Sequence, residues 1–185
     1  FAVMLAAGMK GIEDYGTGLG SARPQATSVQ HEELERRLAA WLGYEACMTF
    51  TTGYQSLVGT LSAFLDDDVT LILDRLCHAS IMEGMFLARG EHPDMEVRFF
   101  KHNNMRLLEK CLRTSEYDKK MIVAEGYYSV DGDMGPIDEM ADLCRKYDAV
   151  LVVDDAHGLG ALGATGRGVG EVFGCQSDID ILIGT

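Results

Sequence analysis

At 185 residues, 47% hydrophobic and 24% charged, the chain is long enough for one domain with a real core, and its composition is ordinary for a soluble globular protein. No apolar run approaches the roughly 18 residues a membrane helix needs, and a net charge of −13 argues against a nucleic-acid-binding surface, because phosphates repel an acidic face. The five cysteines, at 47, 77, 111, 144 and 175, form no C-x-x-C pair and are odd in number, which speaks against a disulfide framework or a zinc site and for a reducing cytoplasm.

The opening FAVMLAAGMK is apolar, but no basic region precedes it and it is too short for a signal peptide. A helix is predicted from about Ser28 to Leu42, with Leu34, Leu38, Trp41 and Leu42 on one face and Thr27 with Gln30 as a capping box. Strands are predicted over 46–51, 69–74, 95–100, 120–126, 149–155 and 178–185, and further helices begin near Thr52, His78, Asn103 and Pro136. This alternation predicts an α/β fold, three αβα layers around a mostly parallel sheet. The first residue is Phe, and the last stretch, ILIGT, is strand-like and stops at its carboxyl edge. A piece of a longer chain is therefore expected.

Open α/β sheets bind ligands beyond the carboxyl ends of their strands. Thr52, Gly53, His78, Glu125, Ser129, Asp154, His157 and Thr185 all fall at such predicted ends. TTGYQS reads as a glycine turn into a helix, whose free N–H groups suit a phosphate; an ordinary N-cap is the plainer alternative. His78 in LCHASIMEG suits either stacking on an aromatic ring or capping a helix. In LVVDDAHGLG, Asp154 and Asp155 must point to opposite sides, because side chains alternate along a strand. A buried aspartate needs a partner or it becomes neutral. A protonated ring nitrogen of a cofactor, a metal held by D-D-x-H, and a capped loop start all remain open. Asp131 and Asp133 in EGYYSVDGDMGP bracket Gly132 like a calcium loop, but the twelfth position is Asp142 rather than glutamate, so calcium is rejected. GATGRGVGE, residues 163–171, reads as a mobile loop and not as a nucleotide cradle, since no strand precedes it and it lacks a GK[ST] ending.

Taken in order, HEELERRLAAWLG, DRLCHASIMEG, EGYYSVDGDMGPI and DDAHGLGALGATGRG resemble the α-oxoamine synthase family of fold type I pyridoxal phosphate enzymes, from about Asp14 to Thr185. The resemblance implies an acyltransferase that condenses an amino acid with an acyl-CoA and loses CO₂ and free CoA. It implies that Asp154 salt-bridges the pyridine nitrogen, that His157 bonds the phenolic oxygen and that His78 stacks on the ring. In the same way Gly53 and Tyr54 cradle the phosphate beside Thr52, Ser129 and Thr185 add contacts, and Glu125 is an acidic neighbour. His78, Asp154 and His157 become the catalytic candidates, with no metal. Asp155 is left a structural role.

The resemblance further implies a cytoplasmic homodimer with its active site at the interface, a substrate-pocket segment over 1–27 and a cofactor domain over 28–185. Two departures stand out. The family's T-x-x-K lysine, which forms the Schiff base, belongs three residues after Thr185, so this stretch alone is not expected to turn over. Ala26 stands where family members often carry glycine, which leaves the substrate open. Another fold type I enzyme (aminotransferase, aldolase or lyase) and a non-catalytic partner subunit are the alternatives.

Overall fold

The computed structural model describes residues 1–18 and 20–185. The chain divides into two compact units, Phe1–Thr49 and Phe50–Thr185; this division by packing lies at 49/50, whereas the sequence expectation drew its boundary at 27/28. The first unit holds helices α1 (Ala2–Tyr15) and α2 (Val29–Leu42). The cap of α2 is Ser28, whose hydroxyl accepts from the His31 N–H, so the expected Thr27–Gln30 box is displaced by one residue. Along α2 only Ala39 is buried, and Leu34 and Trp41 remain exposed. The apolar face read from the sequence is therefore largely uncovered in this chain.

The segment 46–51 is not the strand that its residues predict. Its Thr49 N–H donates to the Glu35 carboxylate at 2.7 Å, and Met48 is 70% exposed. Strand-forming side chains do not make a strand without a ladder partner.

The second unit is a parallel sheet of five strands, β1 (Val69–Asp74), β2 (Glu96–Phe100), β3 (Lys119–Glu125), β4 (Ala149–Asp154) and β5 (Ile181–Ile183), in the order β2-β1-β3-β4-β5. Its helices are α3 (Gly53–Phe64), α4 (Ala79–Glu91), α5 (Met105–Arg113), α6 (Ile137–Tyr147) and the short α7 (Val169–Phe173). Alternation sorts the strand side chains into two cores. Leu71, Leu73, Met121, Val123 and Val152 pack with Leu57, Leu61, Ile81 and Met85 of α3 and α4. Ile72, Ile122, Leu151 and Val153 pack with Leu108 and Leu112 of α5 and Ile137 and Met140 of α6. Both faces are covered, as parallel sheets require.

The chain reverses direction in the sheet after β2, so β1 and β3 meet at a topological switch point, the usual place for a ligand. The expected mobile loop over 163–171 is instead tied down. Glu171 accepts from the Thr165 and Arg167 amides, and the Val169 N–H at the start of α7 donates to Asp155 at 2.8 Å.

Candidate active site

Strand parity decides which carboxyls share a cavity. Glu125 continues the Met121–Val123 row and Asp154 the Val152 row, so both face the α3/α4 side. Asp155 turns to the other face, as the alternation predicts, and the two adjacent aspartates do not converge on one ion. A cavity of about 120 Å³ opens on the α3/α4 side. It is lined by Gly53, Tyr54, His78, Glu125, Asp154, His157 and Thr185 from the expected set, and by Leu57, Ser80, Ala156 and Ile183, which the sequence reading missed.

Two expected residues do not line the cavity. The Thr52 hydroxyl caps α3 by accepting from the Gln55 N–H at 3.1 Å. Ser129 is exposed in the loop after β3, although its backbone amide helps to hold the Glu125 carboxylate. Ser80 had a readable signal, because it stands two residues after His78 at a helix start.

His78 is both cap and cavity wall. Its Nδ1 accepts from the Ser80 N–H at 3.2 Å and lies 2.6 Å from the Ser80 hydroxyl. The accepting Nδ1 leaves the ring proton on Nε2. The His78 N–H in turn donates to Glu125 at 2.5 Å.

Asp154 is 6% exposed and accepts from the Ala156 N–H at 3.2 Å. Burial raises its pKa, opposed by that amide and by His78 and His157. Glu125 is pushed up to about 7, first by burial and then by Asp154. Cys77 is a half-buried thiol whose pKa is raised by desolvation and by Asp74 and Glu125, which makes it a poor nucleophile. On the cavity wall a Cβ added to Gly53 would collide with the Thr185 methyl.

Asp155 is fully buried against glycines. A Cβ on Gly126, Gly158 or Gly168 would strike its carboxylate. Its Oδ2 accepts from Val169, while Oδ1 has no hydrogen-bond partner. Burial, more than the neighbouring Asp154, pushes it up to about 6.

The arrangement joins a helix N-terminus free of side-chain bulk, a buried carboxylate open to the cavity, and two imidazoles. Such a set can seat an anion at the α3 amides and a cationic heterocycle against Asp154. The chain is 40% identical over 182 residues to 8-amino-7-oxononanoate synthase of Coprothermobacter proteolyticus, covering 97% of this chain and 45% of that protein. It is 41% identical over 184 residues to serine palmitoyltransferase of Caulobacter vibrioides, covering 98% and 44%. A serine palmitoyltransferase of S. paucimobilis, solved with bound PLP, superposes with a TM-score of 0.89 at 35% identity, over 98% of this chain and 45% of that one. The chain thus spans under half the length of the relatives it matches. Their names bear out the α-oxoamine synthase resemblance, and the description "Aminotransferase class I and II" matches residues 4–185: the chain belongs to the class I and II aminotransferase family.

Proposed function

We propose that this chain forms the cofactor-holding part of a pyridoxal-phosphate-dependent α-oxoamine synthase, an acyltransferase joining an amino acid to an acyl-CoA with release of CO₂ and free CoA. The observation that carries the reading is the Asp154 carboxylate, buried at a strand end yet part of the cavity wall, with a backbone N–H as its hydrogen-bond donor. A buried carboxylate so placed fits a cationic ring N–H better than it fits an apolar ligand.

When bound, pyridoxal phosphate supplies an electron sink for a carbanion formed beside its ring. Asp154 holds the proton on the ring nitrogen. His78 offers its ring face, steadied through Nδ1 by Ser80. His157 bonds the phenolic oxygen. The first amides of α3, with Gly53 and Tyr54, seat the phosphate, and Thr52 acts there through its cap. Thr185 adds a hydroxyl contact, Ser129 acts through its backbone amide on Glu125, and Glu125 fixes the His78 backbone. Uncovered apolar residues in the first unit, among them Leu5, Met9 and Ile12, favour a homodimer. Five free cysteines favour a reducing cytoplasm.

Absorbance of the full-length protein with pyridoxal phosphate tests the reading. A band near about 420 nm that shifts with glycine, alanine or serine supports it and identifies the donor. No band with the lysine present overturns it.

A further inference from the structure

Behind the cavity, on the opposite face of the sheet, three segments meet at one imidazole. His102, just past β2, has Nδ1 3.1 Å from Asp74 Oδ1 at the end of β1, and Nε2 3.0 Å from Asp133 Oδ2 in the loop after β3. Its ring stands edge-on to the buried Tyr128, 4.4 Å between centroids. Asp74 is fully buried and also accepts from the Leu76 and Asn103 amides. Asn103, held at φ 52°, donates its side-chain amide to Asp133 at 2.9 Å.

Ionised carboxylates only accept, so a ring with a carboxylate oxygen at each nitrogen must donate from both. Each oxygen that meets the ring already accepts from another donor: Asp74 Oδ1 from the Leu76 amide and Asp133 Oδ2 from the Asn103 side-chain amide. We propose that His102 is a standing imidazolium that positions the active site from behind: it fixes the 74–78 turn that delivers His78 and the 126–135 hairpin that carries Ser129.

Two contacts convey the effect to the cavity. Asp74 orders the turn through the Leu76 amide. Tyr128, against which the imidazole packs, has its phenol 3.4 Å from the Glu125 N–H, and the Glu125 carboxylate holds the His78 amide. The ionisable groups facing the ring are Asp74 from β1, and Asp133 and the Tyr128 phenol from the hairpin. The two carboxylates outweigh desolvation and raise the imidazole pKa. The inference stands on geometry independent of the cofactor; only its affinity arm rests on the function proposed above.

Ring ¹⁵N NMR of the full-length protein without cofactor is the test. Both His102 nitrogens should still carry protons at pH values where an ordinary histidine, at about 6.5, has lost one. A ring with one proton at about pH 7 overturns the proposal. Asp133→Asn, at a half-exposed position that should still fold, keeps an acceptor but removes one anion, so the ring should lose its proton at a lower pH; an unchanged titration also overturns it. In His102→Gln, amide exchange over 126–135 should quicken roughly tenfold or more, and pyridoxal phosphate affinity should weaken roughly tenfold. Quickened exchange with no cofactor binding in either protein leaves the clamp standing and removes the functional reading. Unchanged exchange removes the clamp.

Discussion

Glu125 and Asp154 are register partners on the last rung that β3 and β4 share, and both line the same cavity. In a parallel sheet register partners point the same way, so two carboxyls face one small space. Burial raises Asp154, opposed by a backbone amide, His78 and His157, and Glu125, raised by burial and by Asp154, sits at about 7. Near neutral pH the Glu125 carboxyl is therefore close to half-protonated, and the two groups share one desolvated space.

Asp154→Asn tests that coupling. With the Asp154 carboxyl replaced, the Glu125 carboxyl should titrate lower, toward its ordinary 4.5, followed by carboxyl-carbon NMR. Cofactor binding should weaken by roughly 10- to 100-fold, the worth of one charge-assisted hydrogen bond. If Glu125 keeps its raised value in the variant, its cause is burial alone and the two groups are not a pair.

Asp155 makes the second unit's stability depend on pH. Its folded pKa, about 6, lies above its ordinary 3.8. The group therefore favours the folded state most below about 4, and the advantage is lost as pH rises through about 6. Asp155→Asn keeps the acceptor for Val169 and removes the titration. Urea unfolding at about pH 4 and pH 7 should show the stability gap between variant and parent changing by about 2 kcal/mol, with the variant gaining at the higher pH. An equal gap at both values would remove Asp155 as the source.

Glu35 anchors the irregular segment that ends the first unit. Arg23 grips its two oxygens at 3.0 and 3.1 Å, and Thr49 donates both its amide, at 2.7 Å, and its hydroxyl, at 2.8 Å. Arg23 first, then Thr49, hold the carboxyl down at about 2 against burial. This contribution is present above the ordinary 4.5 and is lost as pH falls through about 2. Glu35→Ala leaves a guanidinium and an amide without their acceptor, a cost of about 1–3 kcal/mol. Limited proteolysis should then cut between 44 and 50 several-fold faster; unchanged cleavage would mean the segment is held elsewhere.

The sequence made the sheet legible because both cores draw on alternate residues of the same strands. Leu71 and Ile72 announce a strand covered on two sides, and the same parity separates Asp154 from Asp155. Helix starts were legible where a cap preceded them, as Thr52 does for α3. Segment 46–51 misled because composition reports what a side chain tolerates and not whether a neighbouring backbone exists. Ser129 was placed at a strand end by sequence, but a turn of the hairpin decides its exposure. The meeting of Asp74, His102 and Asp133 was hidden for a topological reason. Only the strand order β2-β1-β3 brings these three positions together, and no local pattern encodes that order. Likewise no sequence signal sets Leu57 and Ile183 apart from their core neighbours, although both also line the cavity.

The closeness of Gly53 and Thr185 supplies the last prediction. The two positions come from the start of α3 and the residue beyond Gly184 that follows β5, and a Cβ on Gly53 would occupy the space of the Thr185 methyl. Gly53→Ala must therefore push that methyl away or shift the first turn of α3, at a cost of about 1–3 kcal/mol, and the amides proposed to seat a phosphate move with it. Thr185→Ser removes the offending methyl and keeps the hydroxyl. If the collision is the mechanism, the double variant should recover most of the stability lost by Gly53→Ala, a coupling of at least about 1 kcal/mol in a double-mutant cycle by thermal or urea unfolding. Phosphate or cofactor affinity should recover in parallel. Additive losses would mean that Gly53 serves the approach of a ligand's phosphate directly, with Thr185 a bystander to its missing side chain.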